Sequence, residues 1–209
     1  MFGLQYQTPP AWVAGVEVAP LALLSDHAHC ELRAAASAQA MIVRNPHRTR
    51  FVGQMLELAQ EELEHFGAVV RLLEERGGKL DHKAPNPYAE GLLGCSAPDR
   101  GDPFLDRLLI AGLIEARSLE RFHLLAGHLA DPGLAQLYRE LVPSEARHHT
   151  LFLDSAREFF GAARADERWQ ALVEREAELV PGLPFATRIH SGPARTAPEL
   201  GGGNGDAAS

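Results

Sequence analysis

Apolar residues recur at three- and four-residue steps through most of this chain, and no two-residue alternation competes with them. Leu24, Ala28, Ala35, Ala38 and Ile42 mark one face of a helix predicted from Pro20 to Arg44. Asn45-Pro46 is a turn signal that stops it, and a second helix is predicted over 47–76, ended by Gly77-Gly78. Residues 79–101 hold prolines and glycines with little periodicity and predict a long connection. At ~3.3 Å per extended residue that stretch can traverse a bundle about 35–45 Å long. Asp102-Pro103 reads as an N-cap followed by proline at the first helical position, opening a third helix to about residue 130. Asp131-Pro132 makes the next tight turn, and a fourth helix continues to about residue 160. A shorter amphipathic helix over 166–180 presents Trp169, Leu172, Val173 and Ala177. The proline-rich opening segment is expected to wrap the helices, with Trp12 as its anchor.

Two helical hairpins joined by one long crossover define an all-α fold, a ferritin-like four-helix bundle with a short C-terminal helix added. The expected domain covers residues 1–183. Residues 184–209, ending in TAPELGGGNGDAAS, are expected to form an unstructured tail.

The two hairpins repeat a pattern of polar residues. Each has a lone glutamate with arginine two residues on, Glu31/Arg33 and Glu115/Arg117. Each then has a Glu-x-x-His on its second helix, Glu62 with His65 and Glu145 with His148. Glu31 precedes Glu62 by 31 residues, and Glu115 precedes Glu145 by 30. Side chains three apart on a helix share a face, so each pair can grip one ion. Four carboxylates in a helical core are costly unless something neutralises them. Four carboxylates and two imidazoles converging inside a four-helix bundle form a dinuclear metal site, and this donor set suits iron or manganese rather than structural zinc.

Several neighbours need placing. Glu61 and Glu64 are not three residues before a histidine and are expected in solvent. Glu120 is the rival of Glu115, which keeps the repeat spacing. His27, one turn before Glu31, and His149, beside His148, are expected in outer or surface positions. Tyr138 lies on the face of Glu145; it is expected to be a core tyrosine with a satisfied hydroxyl, a redox role being the alternative. Arg33 and Arg117 are expected to pair with carboxylates, and Cys30 to point away from the site. Ala28, Ala35, Ala111 and Gly112 either leave room for a substrate or let helices pack closely.

Composition narrows the function. The chain of 209 residues has room for one sizeable core. Two cysteines, Cys30 and Cys95, make no disulfide framework and fit a reducing cytoplasm. No signal-peptide pattern and no run of about 18 apolar residues appears, so no membrane span is expected. A net charge of −8 argues against a general nucleic-acid binder but leaves room for local basic patches. Arg44, His47, Arg48 and Arg50 form one such patch, and Lys79, His82 and Lys83 another.

The stretches LLSDHAHCELRAAASAQAMI, EELEHF, AGLIEARSLERFHLL and SEARHHTLF resemble the tRNA-(2-methylthio-N6-isopentenyladenosine) hydroxylase family over roughly residues 10–180. The resemblance implies a di-iron monooxygenase that hydroxylates the isopentenyl group of a modified adenosine beside the tRNA anticodon, using dioxygen and two electrons. It implies Glu31, Glu62, His65, Glu115, Glu145 and His148 as ligands of two iron ions, with manganese as a possible substitute. A separate electron donor, such as ferredoxin and its reductase, is expected, with the protein a monomer or small oligomer. The competing expectations are another ferritin-like dimetal oxidoreductase, acting on peroxide or a small molecule, and a non-catalytic iron-binding protein.

Overall fold

The computed structural model describes residues 2–82, 85–96 and 102–194, and every regular element among them is helical. Seven α-helices follow in order: α1 Ala11–Glu17, α2 Pro20–Arg44, α3 Thr49–Glu75, α4 Pro87–Gly94, α5 Pro103–His128, α6 Pro132–Phe160 and α7 Ala162–Leu179, with a 3-10 turn over Val180–Gly182. The long helices pair as α2 with α3 and α5 with α6, and the two hairpins pack into the ferritin-like bundle. None of the described helices is long and apolar enough to cross a membrane.

Local chemistry fixes the turns. Asn45 is buried and donates its side-chain amide to the Met41 carbonyl at 2.9 Å, closing α2. Asp102 accepts from the Phe104 amide at 2.9 Å, and Asp131 accepts from Gly133 and Leu134 at 2.9 and 3.0 Å. Each aspartate therefore satisfies orphan amides in front of a first-turn proline. Arg76 meets the same Asp131 through both guanidinium nitrogens at 2.5 and 2.9 Å, tying the end of α3 to the start of α6. One proline sits inside a helix: Pro143 removes a backbone donor two residues before Glu145.

The apolar interior falls into two clusters. One gathers Phe51, Met55, Leu109, Leu113 and Phe152; the other gathers Trp12, Leu24, Phe122, Leu125 and Tyr138. The polar repeat lies between them along the helices, so the bundle carries a hydrophilic belt across its middle.

Residues 79–101 differ from the expected plain connection. Asp81 binds Ser25 Oγ through its amide at 3.0 Å, pinning the crossover's start to α2. The connection then forms α4, capped by Asn86 accepting from Ala89 at 3.2 Å and started by Pro87. Tyr88 and Leu92 bury its inner face.

The expected tail beginning at 184 is corrected as well. Residues 184–194 return to the core, with Ile189, His190 and Ser191 buried. Arg121 holds them, donating to the carbonyls of Ile189 and, at 2.6 Å, Ser191. Trp12 donates to Ser191 Oγ at 2.9 Å, and the Arg121 guanidinium lies 4.6 Å from the Trp12 ring centre. The segment has no periodicity to read because polar contacts, not an amphipathic face, bury it. Residues 195–209 lie outside the described residues.

Arg117 anchors a buried ionic network that joins four parts of the chain. It donates to both Glu176 oxygens at 2.8 and 2.9 Å, to Glu120 at 2.5 Å and to the Tyr6 carbonyl at 3.0 Å. Tyr88 adds a hydrogen bond to Glu176 at 3.1 Å, and Thr8 caps Glu120 through its amide and hydroxyl. Glu176 and Arg117 are both fully buried. Replacing Glu176 by alanine leaves a guanidinium without its bidentate partner, so urea denaturation is expected to show a loss of about 3–5 kcal/mol. A loss within the ~1 kcal/mol of a surface pair would show that the network contributes little.

Candidate metal centre

Helical spacing brings all six repeat residues to one place. Glu31 comes from α2, Glu62 and His65 from α3, Glu115 from α5, and Glu145 and His148 from α6. Their donor atoms form two overlapping groups, each with all its atoms within 4.8 Å of one another: Glu31, Glu62, His65 and Glu145, then Glu62, Glu115, Glu145 and His148. Glu62 and Glu145 belong to both. Five of the six are buried, and His65 is 13% exposed.

Both histidines turn Nδ1 inward. His65 Nδ1 is 3.4 Å from Glu62 and 3.7 Å from Glu31, and His148 Nδ1 is 2.9 Å from Glu62. Yet both Glu62 oxygens, Glu145 Oε1 and both Nδ1 atoms are buried without a well-oriented hydrogen bond. Buried polar groups are rarely left so, and several orphans aimed at one point mark a place for an ion. The mixed oxygen and nitrogen donors fit two iron or manganese ions.

The electrostatics agree. Burial raises Glu145 well above the ordinary carboxylate range, and Glu115, Glu31 and Glu62 push it further. Burial and Glu62 lift Glu115 to about 7 despite His148. Burial also raises Glu62, with Glu31 adding to it. Glu31 goes the other way: burial would raise it, but His27 and its hydrogen-bond partners outweigh that and hold it low. Burial alone would lower the histidines. Hydrogen bonds to Glu31 and Glu62 instead lift His65 to about 10, and contacts led by Glu62 lift His148 to about 9. The cluster without metal therefore retains protons that an ion would displace.

Outer contacts aim the inner groups. His27 is fully buried and sits 2.5 Å from Glu31 through Nε2, so a surface position is excluded. Glu61 is not merely solvated, as its sequence position suggested. It lies 2.9 Å from His148 Nε2, fixing the ring that presents Nδ1 to the cluster, and Arg147 pairs with it in turn. A hydrogen bond on the remote nitrogen is the usual partner of a metal-binding histidine. One turn geometry hid it: Glu61 follows the Glu-x-x-His rule on no helix and acts only across the α3–α6 contact. Glu64 is exposed as expected. Glu120 belongs to the Arg117 network, which leaves Glu115 alone in the cluster. His149 donates its Nδ1–H to the Gly112 carbonyl, 2.8 Å away, and lies against Trp169. Gly112 itself serves close packing, since a Cβ there would meet Phe152 Cβ at 3.2 Å. Tyr138 is buried against His27 with ring centres 5.3 Å apart, but its hydroxyl has no hydrogen-bond partner, contrary to expectation.

A cleft of about 290 Å³ opens onto the cluster between α2 and α5, with α4 over it. Glu31, Glu62, Glu115 and Glu145 form its floor, and Ile110, Ala111, Ile114, Phe152 and Leu93 line it. Ala111 thus leaves room in the cleft, whereas Ala28 and Ala35 are buried in helix contacts. Cys30 lines the cleft rather than pointing away, 3.8 Å from His190, and burial pushes its thiol up.

Known proteins share this arrangement. A Pseudomonas putida protein named tRNA 2-(methylsulfanyl)-N(6)-isopentenyladenosine(37) hydroxylase is 34% identical over 185 residues, 88% of this chain and 90% of its own. A Salmonella typhimurium protein of the same name is 32% identical over 148 residues, 71% of this chain and 54% of its own. The solved structure of protein 43 with aldehyde deformylating oxygenase activity from Synechococcus matches with a TM-score of 0.86 and 36% identity, covering 91% of this chain and 96% of that one. The family described as tRNA-(MS[2]IO[6]A)-hydroxylase (MiaE) matches residues 2–191, from the opening segment to the strand of backbone that Arg121 holds. The match takes in all six convergent residues and the buried tail that closes the bundle, and the chain belongs to this family of tRNA hydroxylases.

Proposed function

We propose that the chain is an oxygen-dependent di-iron monooxygenase that hydroxylates the isopentenyl group of 2-methylthio-N6-isopentenyladenosine in tRNA. The carrying observation is the pair of overlapping donor groups at the floor of an apolar cleft. Glu31, Glu62, His65, Glu115, Glu145 and His148 would hold two iron ions, with manganese able to substitute, and Glu62 and Glu145 shared between them. Iron held there supplies dioxygen activation, so that the C–H bond, dioxygen, two electrons and two protons yield the alcohol and water.

The chain's own residues do the rest. Ile110, Ile114 and Phe152 give a branched five-carbon group a dry apolar surface above the carboxylates. His27 and Glu61 keep Glu31 and His148 oriented while charge at the centre changes. Ser118 and His190, 3.1 Å apart, place a polar patch on the same wall, suited to the edge of a purine. A tRNA substrate puts the enzyme in the cytoplasm, with electrons arriving from a separate carrier such as ferredoxin and its reductase.

Nucleoside mass spectrometry of tRNA from a strain lacking its own hydroxylase is the test. This chain is expected to restore the hydroxylated nucleoside, and the Glu115→Ala variant is not. Accumulation of the unhydroxylated nucleoside in both cases would end this reading. The Synechococcus structure supports a second one, oxygen-dependent aldehyde deformylation. Incubating iron-loaded protein with an aldehyde in place of tRNA separates the two.

A further inference from the structure

The cleft wall carries a cation that the chemistry of the cluster does not use. Along α5, Glu115 is on the floor, Ile114 and Ala111 line the wall, and Arg107 also faces the cleft. Eight residues of helix put Arg107 about 12 Å from Glu115 along the axis. That separation is comparable to the reach of a prenylated adenosine from its terminal methyl to its backbone phosphate.

Arg107 has no carboxylate, hydrogen-bond or ring partner among the described residues. Other arginines do: Arg76, Arg117, Arg147 and Arg168 each meet an acidic side chain. Arg44, at the end of α2, is close enough that its charge, after burial, disfavours the charged form of Arg107. Arg107 is thus a half-buried cation in the cleft wall with no anion beside it among the described residues, in a chain whose net charge is −8. A cation partly removed from water is unfavourable until an anion joins it. A guanidinium fork matches phosphate oxygens in pairs.

Arg48 and Arg50 at the α2–α3 turn, and the basic residues after α3, are less suited. The Arg48 guanidinium lies over Phe159, 4.0 Å from its ring centre, and Arg50 is 3.6 Å from Glu158. Lys79 and His82 are exposed beyond the other end of α2, and Lys83 lies outside the described residues.

We propose that Arg107 binds a backbone phosphate flanking the nucleotide whose prenyl group enters the cleft, and so sets how deep that nucleotide reaches. This rests on the tRNA hydroxylase reading and adds to it the contact that positions the substrate.

The experiment titrates metal-free protein with a labelled anticodon stem-loop carrying the prenylated adenosine, over a series of salt concentrations. Arg107→Gln is expected to weaken binding about tenfold at low salt. It should also flatten the plot of log affinity against log salt by about 0.7–0.9, the slope of one phosphate contact. Arg107→Lys should keep most of that slope, and Arg164→Gln, at an exposed arginine outside the cleft, should change nothing. With loaded enzyme, Arg107→Gln should raise KM for the stem-loop at unchanged kcat. Turnover of the free prenylated nucleoside, which has no phosphate, should equal that of the parent. An unchanged salt slope, or an equal loss on the nucleoside, would overturn the proposal. A parent protein that binds with the full slope but never hydroxylates would sink the hydroxylase reading and leave the phosphate contact standing.

Discussion

Changing Glu145 to glutamine is expected to abolish hydroxylation while leaving the metal-free protein at least as stable as its parent. The two effects come from one cause. Glu145 belongs to both donor groups, so on the di-iron reading its loss would remove a ligand from each ion at once. Loss of an outer partner of a metal ligand, such as Glu61 behind His148, costs about 10–100-fold in metal affinity or activity. Loss of a shared ligand must cost more. In the metal-free fold, however, burial and then Glu115, Glu31 and Glu62 all oppose ionisation of Glu145. A neutral amide of the same size relieves that repulsion and keeps the packing. Iron content by elemental analysis, tRNA hydroxylation and the urea midpoint of the metal-free protein together check this. A variant with two irons per chain and parental turnover would remove Glu145 from the ligand set. A variant that unfolds readily would show that its carboxylate is structural instead.

That opposition between stability and site chemistry also explains what the sequence made legible. A buried carboxylate in a helix is so costly that its repetition at matched spacing could be read without coordinates. Helix ends were legible for a related reason: Asp102-Pro103 and Asp131-Pro132 satisfy amides by local chemistry that needs no tertiary partner. Asn86-Pro87 carries the same signal, and α4 could have been found by it. Its eight residues are too few to show a period, and it is held by Tyr88 and Leu92 packing on distant helices. The cleft was out of reach for that reason, since α4 covers it. Glu61 and the 184–194 segment act through contacts between elements far apart in sequence, His148 and Arg121 respectively. Nothing local distinguishes such residues from solvated ones. Tyr138 shows the reverse: its burial was legible, but its unpartnered hydroxyl was not.

Metal binding is expected to stabilise the protein by an amount that grows as pH rises from about 5.5 to 8.5, amounting to a few kcal/mol across that range. The direction follows from the shifts at the cluster. Glu115 is lifted from 4.5 to about 7, so the proton it holds favours the metal-free fold fully below 4.5, and that contribution is lost as pH rises through 7. His148 and His65 are lifted from 6.5 to about 9 and about 10, and their contributions are lost as pH climbs through those values. Glu31 is shifted the opposite way, and its contribution is lost only in acid, below the range considered. Raising the pH therefore leaves the metal-free cluster with uncompensated carboxylates. A divalent ion takes the place of those protons, and at high pH it no longer has to displace them. Manganese, which does not oxidise under these conditions as iron does, suits the measurement: melting temperatures with and without saturating Mn(II) at several pH values, with the Glu145→Gln variant alongside. The gap between the two curves should widen with pH in the parent and nearly close in the variant. A gap that is constant, or that narrows as pH rises, would mean that the protons and the metal do not compete for the same six side chains.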